Sequence, residues 1–144
     1  DLNEILAALR AARRVSRDLP VVAQMTFGID GKTLYGHTPT LVVRALKQAG
    51  ANVVGVNCGV GPQPTLEVLE EIVAAAEGTP VSAMPNAGLP QYVNGRFLYL
   101  SSPEYFGEYA TRAAEAGARL IGGCCGTTPA HIAAFRQAVD ALQA

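Results

Sequence analysis

The side chains best suited to chemistry in this sequence are its three cysteines, Cys58 and the adjacent pair Cys124 and Cys125. Thiolate sulfurs are preferred ligands of zinc and Cu(I), and three protein ligands with one open position are typical of a catalytic zinc site. Successive side chains of a strand point to opposite faces, so adjacent cysteines share a metal only where the backbone turns. Glycines that permit such a turn flank the pair: Gly122, Gly123 and Gly126. The pattern is therefore compatible with a metal site that has three sulfur ligands.

Spacing alone leaves other interpretations of these residues open. Free cysteine is among the most buried residue types, so the thiols could pack in a core without metal. Cys124 and Cys125 could form a vicinal disulfide with each other. The Gly-Gly pair at 122–123, before a helix N-terminus, could bind phosphate, although the cysteines compete for the same space.

The remaining candidate side chains are expected to have structural roles. His131 is expected to cap or pack at the start of the last helix, and His37 to lie on a loop surface. Met25 and Met84 are expected to fill core space. A group of aromatic residues is expected to cover a helix rather than line a pocket: Tyr92, Tyr99, Tyr105 and Phe106.

Length and composition indicate one globular domain, residues 1–144, with no surface for nucleic acid or membrane. The 144 residues are 49% hydrophobic and 16% charged, and the formal net charge is −1. This balance supplies no basic patch for nucleic acid or acidic lipid. All apolar runs are far shorter than the ~20 residues of a transmembrane helix. The N-terminal segment is unlike a signal peptide and the cysteine count is odd, so a cytoplasmic location with reduced thiols is expected.

Alternating helix and strand patterns predict an α/β fold with four parallel strands. Apolar runs that predict strands buried on both faces are VVAQMTF (21–27), ANVVGVN (51–57, ending at Cys58), PVSAM (80–84) and ARLIGG (118–123). Capping residues and prolines predict helices at 3–15 with Asn3 as N-cap, from Thr38-Pro39 to Gly50, from Pro64 to Gly78, from Ser102-Pro103 to Gly117, and from Thr128-Pro129 onward. Residues 85–101 are expected to form a long loop. All three cysteines follow strands, where parallel sheets place their functional residues.

The two cysteine segments are similar to each other. QAGANVVGVNCG (48–59) and EAGARLIGGCCG (115–126) align without gaps, which places Cys58 on Cys125 and Asn57 on Cys124. Two equivalent strands of one barrel would each deliver a sulfur to the same rim.

The same segments resemble the two cysteine motifs of the zinc-dependent homocysteine S-methyltransferases. GVNCG (55–59) and GGCCGTTPAHI (122–132) carry the resemblance, and VVAQMTF, GHTP and PNAGLP lie where that family has similar segments. The family includes betaine–homocysteine methyltransferase and the homocysteine-binding module of methionine synthase. The resemblance extends over essentially the whole chain and includes all three cysteines.

The resemblance implies transfer of a methyl group to the thiol of homocysteine, which gives methionine. Cys58, Cys124 and Cys125 would be the ligands of Zn²⁺, and Asn57 would contact the substrate. Backbone amides of Gly59 and Gly126 could support the sulfurs by hydrogen bonds. Methylfolate, methylcobalamin, betaine and S-methylmethionine all remain open as the methyl donor.

The family fold is a (βα)8 TIM-type barrel, and the four predicted βα units correspond to its second half. The first strand's Asp-Gly motif and the acidic residue after the fourth strand are therefore absent from this sequence. The missing units are expected in a longer chain of which this is a fragment, in a second copy that closes a homodimer, or in a complementary N-terminal half-barrel. The alternative function is a non-catalytic zinc-binding half-barrel.

Overall fold

The four predicted strands form one parallel sheet in the computed structural model, which describes residues 1–142. The strands in chain order are β1 (Val22–Met25), β2 (Val53–Cys58), β3 (Val81–Pro85), β4 (Gln91–Val93), β5 (Arg96–Leu98) and β6 (Leu120–Ile121). The parallel sheet has the order β1-β2-β3-β6, and β4 and β5 pair separately. The α/β fold class with four strand–helix units is confirmed. The predicted 1–144 domain extends two residues beyond the described part of the chain.

Helices alternate with the strands of the parallel sheet. They are α1 (Leu2–Val15), α2 (Pro39–Gln48), α3 (Pro62–Ala76), α4 (Pro103–Glu115) and α5 (Pro129–Ala141). Four begin with proline, whose missing N–H has no helical acceptor at that position. The hydroxyls of Thr38 and Ser102 cap α2 and α4, as predicted. Within residues 1–142, no helix combines the length and hydropathy needed to cross a membrane.

Two predicted helix starts are wrong by one turn or less. Asp1 rather than Asn3 caps α1, because its carboxylate accepts hydrogen bonds from the backbone N–H groups of Asn3 and Glu4. The third helix begins at Pro62 rather than Pro64. Gly61 precedes it with φ 129°, a backbone conformation that glycine adopts readily.

The sheet has one face against the helices and one open face. On the helix side Val54 and Val56 are at most 2% exposed. On the open face Gln24, Gly55 and Ser82 lie level across β1, β2 and β3. The Gln24 amide donates a hydrogen bond to Ser82 Oγ (3.0 Å) across Gly55, whose Cβ would lie 2.1 Å from that oxygen. This face therefore carries polar groups close to the strand ends that matter for function.

Residues 85–101, predicted as one long loop, contain a β-hairpin. Asn94 (φ 49°) and Gly95 (φ 78°) join β4 to β5 with the two positive φ angles that a tight hairpin turn requires. The rings of Tyr92 and Phe97 pair across the hairpin at 5.1 Å and both stay exposed. The Asn-Gly signal was present in the sequence, but the flanking strands are only three residues long.

The last two helices enclose an aromatic part of the core. Phe106 and Tyr109 of α4 pack against Phe135 of α5, with ring centroids at 5.2 Å and 6.3 Å respectively. Phe106 is buried, as expected for a residue that covers a helix, whereas Tyr105 is 39% exposed. Met25 is buried in the core and Met84 is half-buried on the open face of the sheet.

Candidate metal centre

The carboxyl ends of the strands bring the three cysteine sulfurs together. Cys58 is the last residue of β2, and Cys124 and Cys125 follow β6 after two glycines. All three sulfurs lie within 4.8 Å of one another. The Sγ–Sγ distance is 2.7 Å between Cys58 and Cys124 and 3.9 Å between Cys124 and Cys125.

These distances are compatible with three thiolates around one metal ion. Zinc–sulfur bonds of about 2.3 Å give an S–S distance of about 3.8 Å in a tetrahedral site. The Cys124–Cys125 distance already matches that value. The three thiols are free, since 2.7 Å greatly exceeds the ~2.05 Å of a disulfide bond. A shared metal requires Cys58 and Cys124 to separate by about 1 Å, within reach of small side-chain rotations.

The backbone turns sharply at Cys58. Its φ is 57°, and Gly59 follows with φ 76°, so two consecutive residues adopt the left-handed conformation. For a residue with a side chain this conformation costs about 1–2 kcal/mol, and such strain concentrates at functional sites. The turn ends β2 and leaves the thiol at the rim of the sheet.

The adjacent cysteines converge because the regular strand ends before them. The predicted strand over 118–123 is wrong beyond Ile121, and residues 124–127 form a turn, here named the cysteine turn, closed by a hydrogen bond from Thr127 N–H to Cys124 C=O (3.2 Å). Strand alternation therefore does not apply to this pair. A Cβ on Gly123 would lie 2.3 Å from Thr127 Oγ1, so glycine is needed for this close approach.

The last residue of β3 and the two residues after it, 85–87, bind the cysteine turn. Cys124 N–H donates to Pro85 C=O (2.9 Å), and Ala87 N–H donates to Cys125 C=O (2.8 Å). Asn86 then joins both cysteine loops: its Oδ1 accepts from Cys125 N–H (3.1 Å) and its Nδ2 donates to Gly59 C=O (2.9 Å).

Sequence reasoning did not assign a role to Asn86. The side chain is 8% exposed, so its two hydrogen bonds are shielded from water and fix the spacing between the loops. The available signal was a polar residue placed directly after a buried strand, inside the PNAGLP segment (85–90).

The sulfurs also change one another's protonation. Burial, the hydrogen bond to Cys124 and the charges of both neighbouring cysteines raise the pKa of Cys58. Burial opposes ionisation of Cys124 as well, but hydrogen bonds from the Cys58 thiol and nearby backbone amides outweigh it and lower its pKa. Cys58 therefore holds its proton more strongly than Cys124 does.

A cleft of about 940 Å³ opens beside Cys58. Gln24, Thr26 and Asn86 contribute polar groups to its lining. Its charged side chains are Asp1, Glu4, Asp30 and Lys32. Its size falls in the range typical of small-molecule sites. The cysteine cluster therefore lies next to space that a polar small molecule could fill.

The other candidate residues lie at varied distances from this cluster. Asn57 is half-buried on β2, level with Met84, and its contact with substrate stays a prediction. The sulfur-supporting role of the Gly59 and Gly126 amides also stays a prediction. His37 lies in the loop before α2, where its backbone N–H donates to Thr33 Oγ1 (3.1 Å).

His131 caps α5, as expected, and is buried. Thr128 N–H donates to its Nδ1 (3.1 Å), and its ring packs edge-on against Phe106 with centroids 4.9 Å apart. Tyr99 lies against the cysteine turn, because a Cβ on Gly126 would be 2.1 Å from Tyr99 Cγ.

Comparison with known proteins identifies the family of this chain. Residues 1–139 match the family model described as homocysteine S-methyltransferase. The chain belongs to the homocysteine S-methyltransferase family. Its similarity to the methionine synthase of Mycobacterium tuberculosis is 39% identity over 136 residues, which cover 94% of this chain and 11% of that protein. The methionine synthase of Mycobacterium leprae is 37% identical over 136 residues, with the same coverage.

Solved structures of this family show the same arrangement of strands and helices. The metallated form of the homocysteine methyltransferase MmuM from Escherichia coli superposes with a TM-score of 0.71 at 27% identity, over 95% of this chain and 41% of that one. The apo form of MmuM superposes with a TM-score of 0.71 at 25% identity, and the match covers 96% of this chain and 46% of that one. The chain thus spans about a tenth of the methionine synthases and less than half of MmuM. Its sheet matches part of a TIM-barrel homocysteine methyltransferase fold.

Proposed function

We propose that Cys58, Cys124 and Cys125 hold one zinc ion and that the site serves methyl transfer to homocysteine, giving methionine. The observation that carries this proposal is the convergence of three free thiols within 4.8 Å at the carboxyl end of the sheet. An all-sulfur set of three ligands suits zinc and leaves one position open. The metallated form of a homologous structure is a second, independent support.

The chemistry requires a nucleophilic thiol at neutral pH. A free thiol with a pKa of about 8.5 is mostly protonated there. Bound zinc would supply a positive centre at which an incoming thiol is held as thiolate without any redox change. Three cysteine thiolates and Zn²⁺ carry a net charge of −1, and a fourth thiolate makes it −2, which keeps the substrate sulfur electron-rich.

The proposed reaction balances as a displacement at carbon. The homocysteine sulfur forms a bond to the methyl carbon, the bond from that carbon to the donor breaks, and the thiol proton is released. The donor leaves with the electron pair of the broken bond. Asn86 would keep the two cysteine loops at a fixed spacing.

The substrate proposal rests on the family and on the cleft. Homocysteine is an amino acid with charges of both signs, and the cleft beside Cys58 presents Glu4 and Lys32 as well as neutral polar groups. Methylfolate, methylcobalamin, betaine and S-methylmethionine are all candidate donors.

Complete activity is proposed to require the other half of a barrel. Among the described residues no strand pairs with the outer side of β1 or β6, and Val22 and Leu120 at these edges are 45% and 36% exposed. A complementary N-terminal half-barrel, or a second copy of this chain, would cover them. The same open edges favour the alternative function, a zinc-binding half-barrel that does not turn over.

A complementation assay tests the proposal. Methionine formation from homocysteine is measured with each of the four donors, for the chain alone and mixed with the four N-terminal βα units of a homologous barrel. Activity on mixing supports complementation, and activity alone supports a closed homodimer. Cys124→Ser is the control and should be inactive in both arms. Persistent inactivity of a zinc-loaded mixture with every donor would overturn the catalytic proposal in favour of the non-catalytic alternative.

A further inference from the structure

We propose that His131 is a positioning residue for the zinc site, and that it holds the cysteine turn through a bond that helix capping does not need. This inference rests on the proposed zinc function. His131 lies six residues after Cys125, in the first turn of α5, and it does not belong to the sulfur cluster. Its ring is 6% exposed and both of its nitrogens are engaged.

The hydrogen bonds define which ring nitrogen carries the proton. Nδ1 accepts from Thr128 N–H (3.1 Å), so Nδ1 is unprotonated and Nε2 bears the hydrogen. Nε2–H then donates to Ser101 C=O (2.9 Å), thirty residues earlier in the chain. A neutral imidazole thus bridges the start of α5 and the end of the hairpin loop.

The second bond closes a ring of backbone contacts around the cysteine turn. Ser101 N–H donates to Ala87 C=O (3.2 Å), and Ala87 N–H donates to Cys125 C=O (2.8 Å). From Cys125 the chain itself leads through the cysteine turn to Thr128, which donates to His131. The ring therefore runs from His131 to Ser101, Ala87, Cys125 and Thr128, and His131 is its only side-chain member.

Helix capping alone does not explain this arrangement. The hydroxyls of Thr38 and Ser102 cap α2 and α4, with no histidine involved. At α5 the capping contact uses only Nδ1, so the bond from Nε2 to Ser101 is additional. The imidazole that makes this bond is buried and packs edge-on against the Phe106 ring, with centroids 4.9 Å apart.

The consequence for the site is mechanical. Ala87 N–H binds the carbonyl of Cys125, and Ser101 N–H binds the carbonyl of Ala87. His131 in turn binds the carbonyl of Ser101. Loss of the hydrogen bond from Nε2 leaves the Ser101 carbonyl unbound, so these linked hydrogen bonds are no longer held at Ser101. All three cysteine ligands stay present. Residues that orient metal ligands from outside typically change metal affinity by about 10–100-fold when replaced.

Two substitutions separate positioning from capping. His131→Asn keeps an acceptor near the place of Nδ1 but is too short to reach Ser101, whereas His131→Ala loses both contacts. Phe135→Leu is the matched control, because it weakens the same aromatic packing without touching the hydrogen-bonded ring. Positioning predicts that Asn and Ala both weaken metal binding, and capping alone predicts that only Ala does.

The readouts are cobalt binding and amide exchange, both independent of turnover. Co²⁺ affinity, followed by the thiolate absorption band, should fall at least about tenfold in His131→Asn and stay unchanged in Phe135→Leu. In the metal-free chain, exchange of the Ala87 and Ser101 amides should accelerate in His131→Asn. Wild-type affinity and wild-type exchange in His131→Asn would overturn the inference. Absence of the band in the wild-type chain would instead refute the proposed zinc site, and amide exchange would still decide the role of His131.

Discussion

Replacing Gly126 with alanine tests whether the cysteine turn needs the space and the backbone freedom of glycine. Gly126 has φ 79°, and a Cβ there would lie 2.1 Å from Tyr99 Cγ. The left-handed conformation costs a residue with a side chain about 1–2 kcal/mol. Forcing an extra carbon into a packed site costs about 1–3 kcal/mol. Gly126→Ala should therefore lower the free energy of unfolding by about 2–5 kcal/mol.

A second substitution separates the two contributions. Tyr99→Gly removes both the ring and the Cβ of Tyr99, whose Cγ and Cβ would lie 2.1 Å and 2.6 Å from the new Cβ, but it leaves the backbone angle at Gly126 unchanged. In that background Gly126→Ala should cost only the backbone contribution of about 1–2 kcal/mol. The coupling energy between the two positions should be about 1–3 kcal/mol. Gly95→Ala is the matched control, since Gly95 has φ 78° and its Cβ would meet nothing within 4 Å.

Urea denaturation followed by circular dichroism measures all of these free energies, and equal m-values check that unfolding stays two-state. Zinc content of each folded variant reports the effect on the site. The reasoning is refuted if Gly126→Ala costs no more than Gly95→Ala, or if its cost is the same with and without the Tyr99 ring.

Three further predictions concern the ligands, the bridging amide and a buried hydroxyl. Cys125→Ala should lose most of the zinc affinity, because two thiolates and water make a weaker site; stoichiometric zinc in dialysed protein would contradict this. Asn86→Ala should leave Cys125 N–H and Gly59 C=O without partners, and each unpaired group should destabilise the fold by about 1–3 kcal/mol. An unchanged urea midpoint would argue against the bridging role of Asn86. Burial raises the pKa of Tyr109 above its ordinary value of 10, so stability is complete below pH 10 and falls above it as the unfolded chain ionises. Tyr109→Phe should lack this loss in denaturation measured between about pH 9 and 11, and an equal loss in the variant would show that another group causes it.

The fold was predictable wherever local patterns agreed with tertiary packing. The strands β1, β2 and β3 follow continuous apolar runs, and prolines with Thr38 or Ser102 before them mark helix starts correctly. The fourth strand was predicted too long because glycine continues an apolar run without committing the chain to a strand. The regular strand ends at Ile121, although Gly122 N–H and Cys124 N–H still donate to carbonyls of β3, and no local pattern distinguishes this from a longer strand.

The cysteine cluster was predictable, but what supports it was not. Glycines beside Cys124 and Cys125 indicated that the backbone could bring both sulfurs together. Asn86 contacts residues 27 positions before it and 39 after it, and such long-range hydrogen bonds leave no local periodicity. The same is true of the contact between His131 and Ser101.

X-ray absorption at the zinc edge of the zinc-loaded chain, before and after addition of homocysteine, shows whether the three cysteines bind the metal and leave a position for the substrate thiol. Three sulfur ligands at about 2.3 Å with one lighter ligand are expected, changing to four sulfur ligands with homocysteine present. Fewer than three sulfur ligands in the loaded chain, or no new sulfur ligand at saturating homocysteine, would contradict the proposed zinc site.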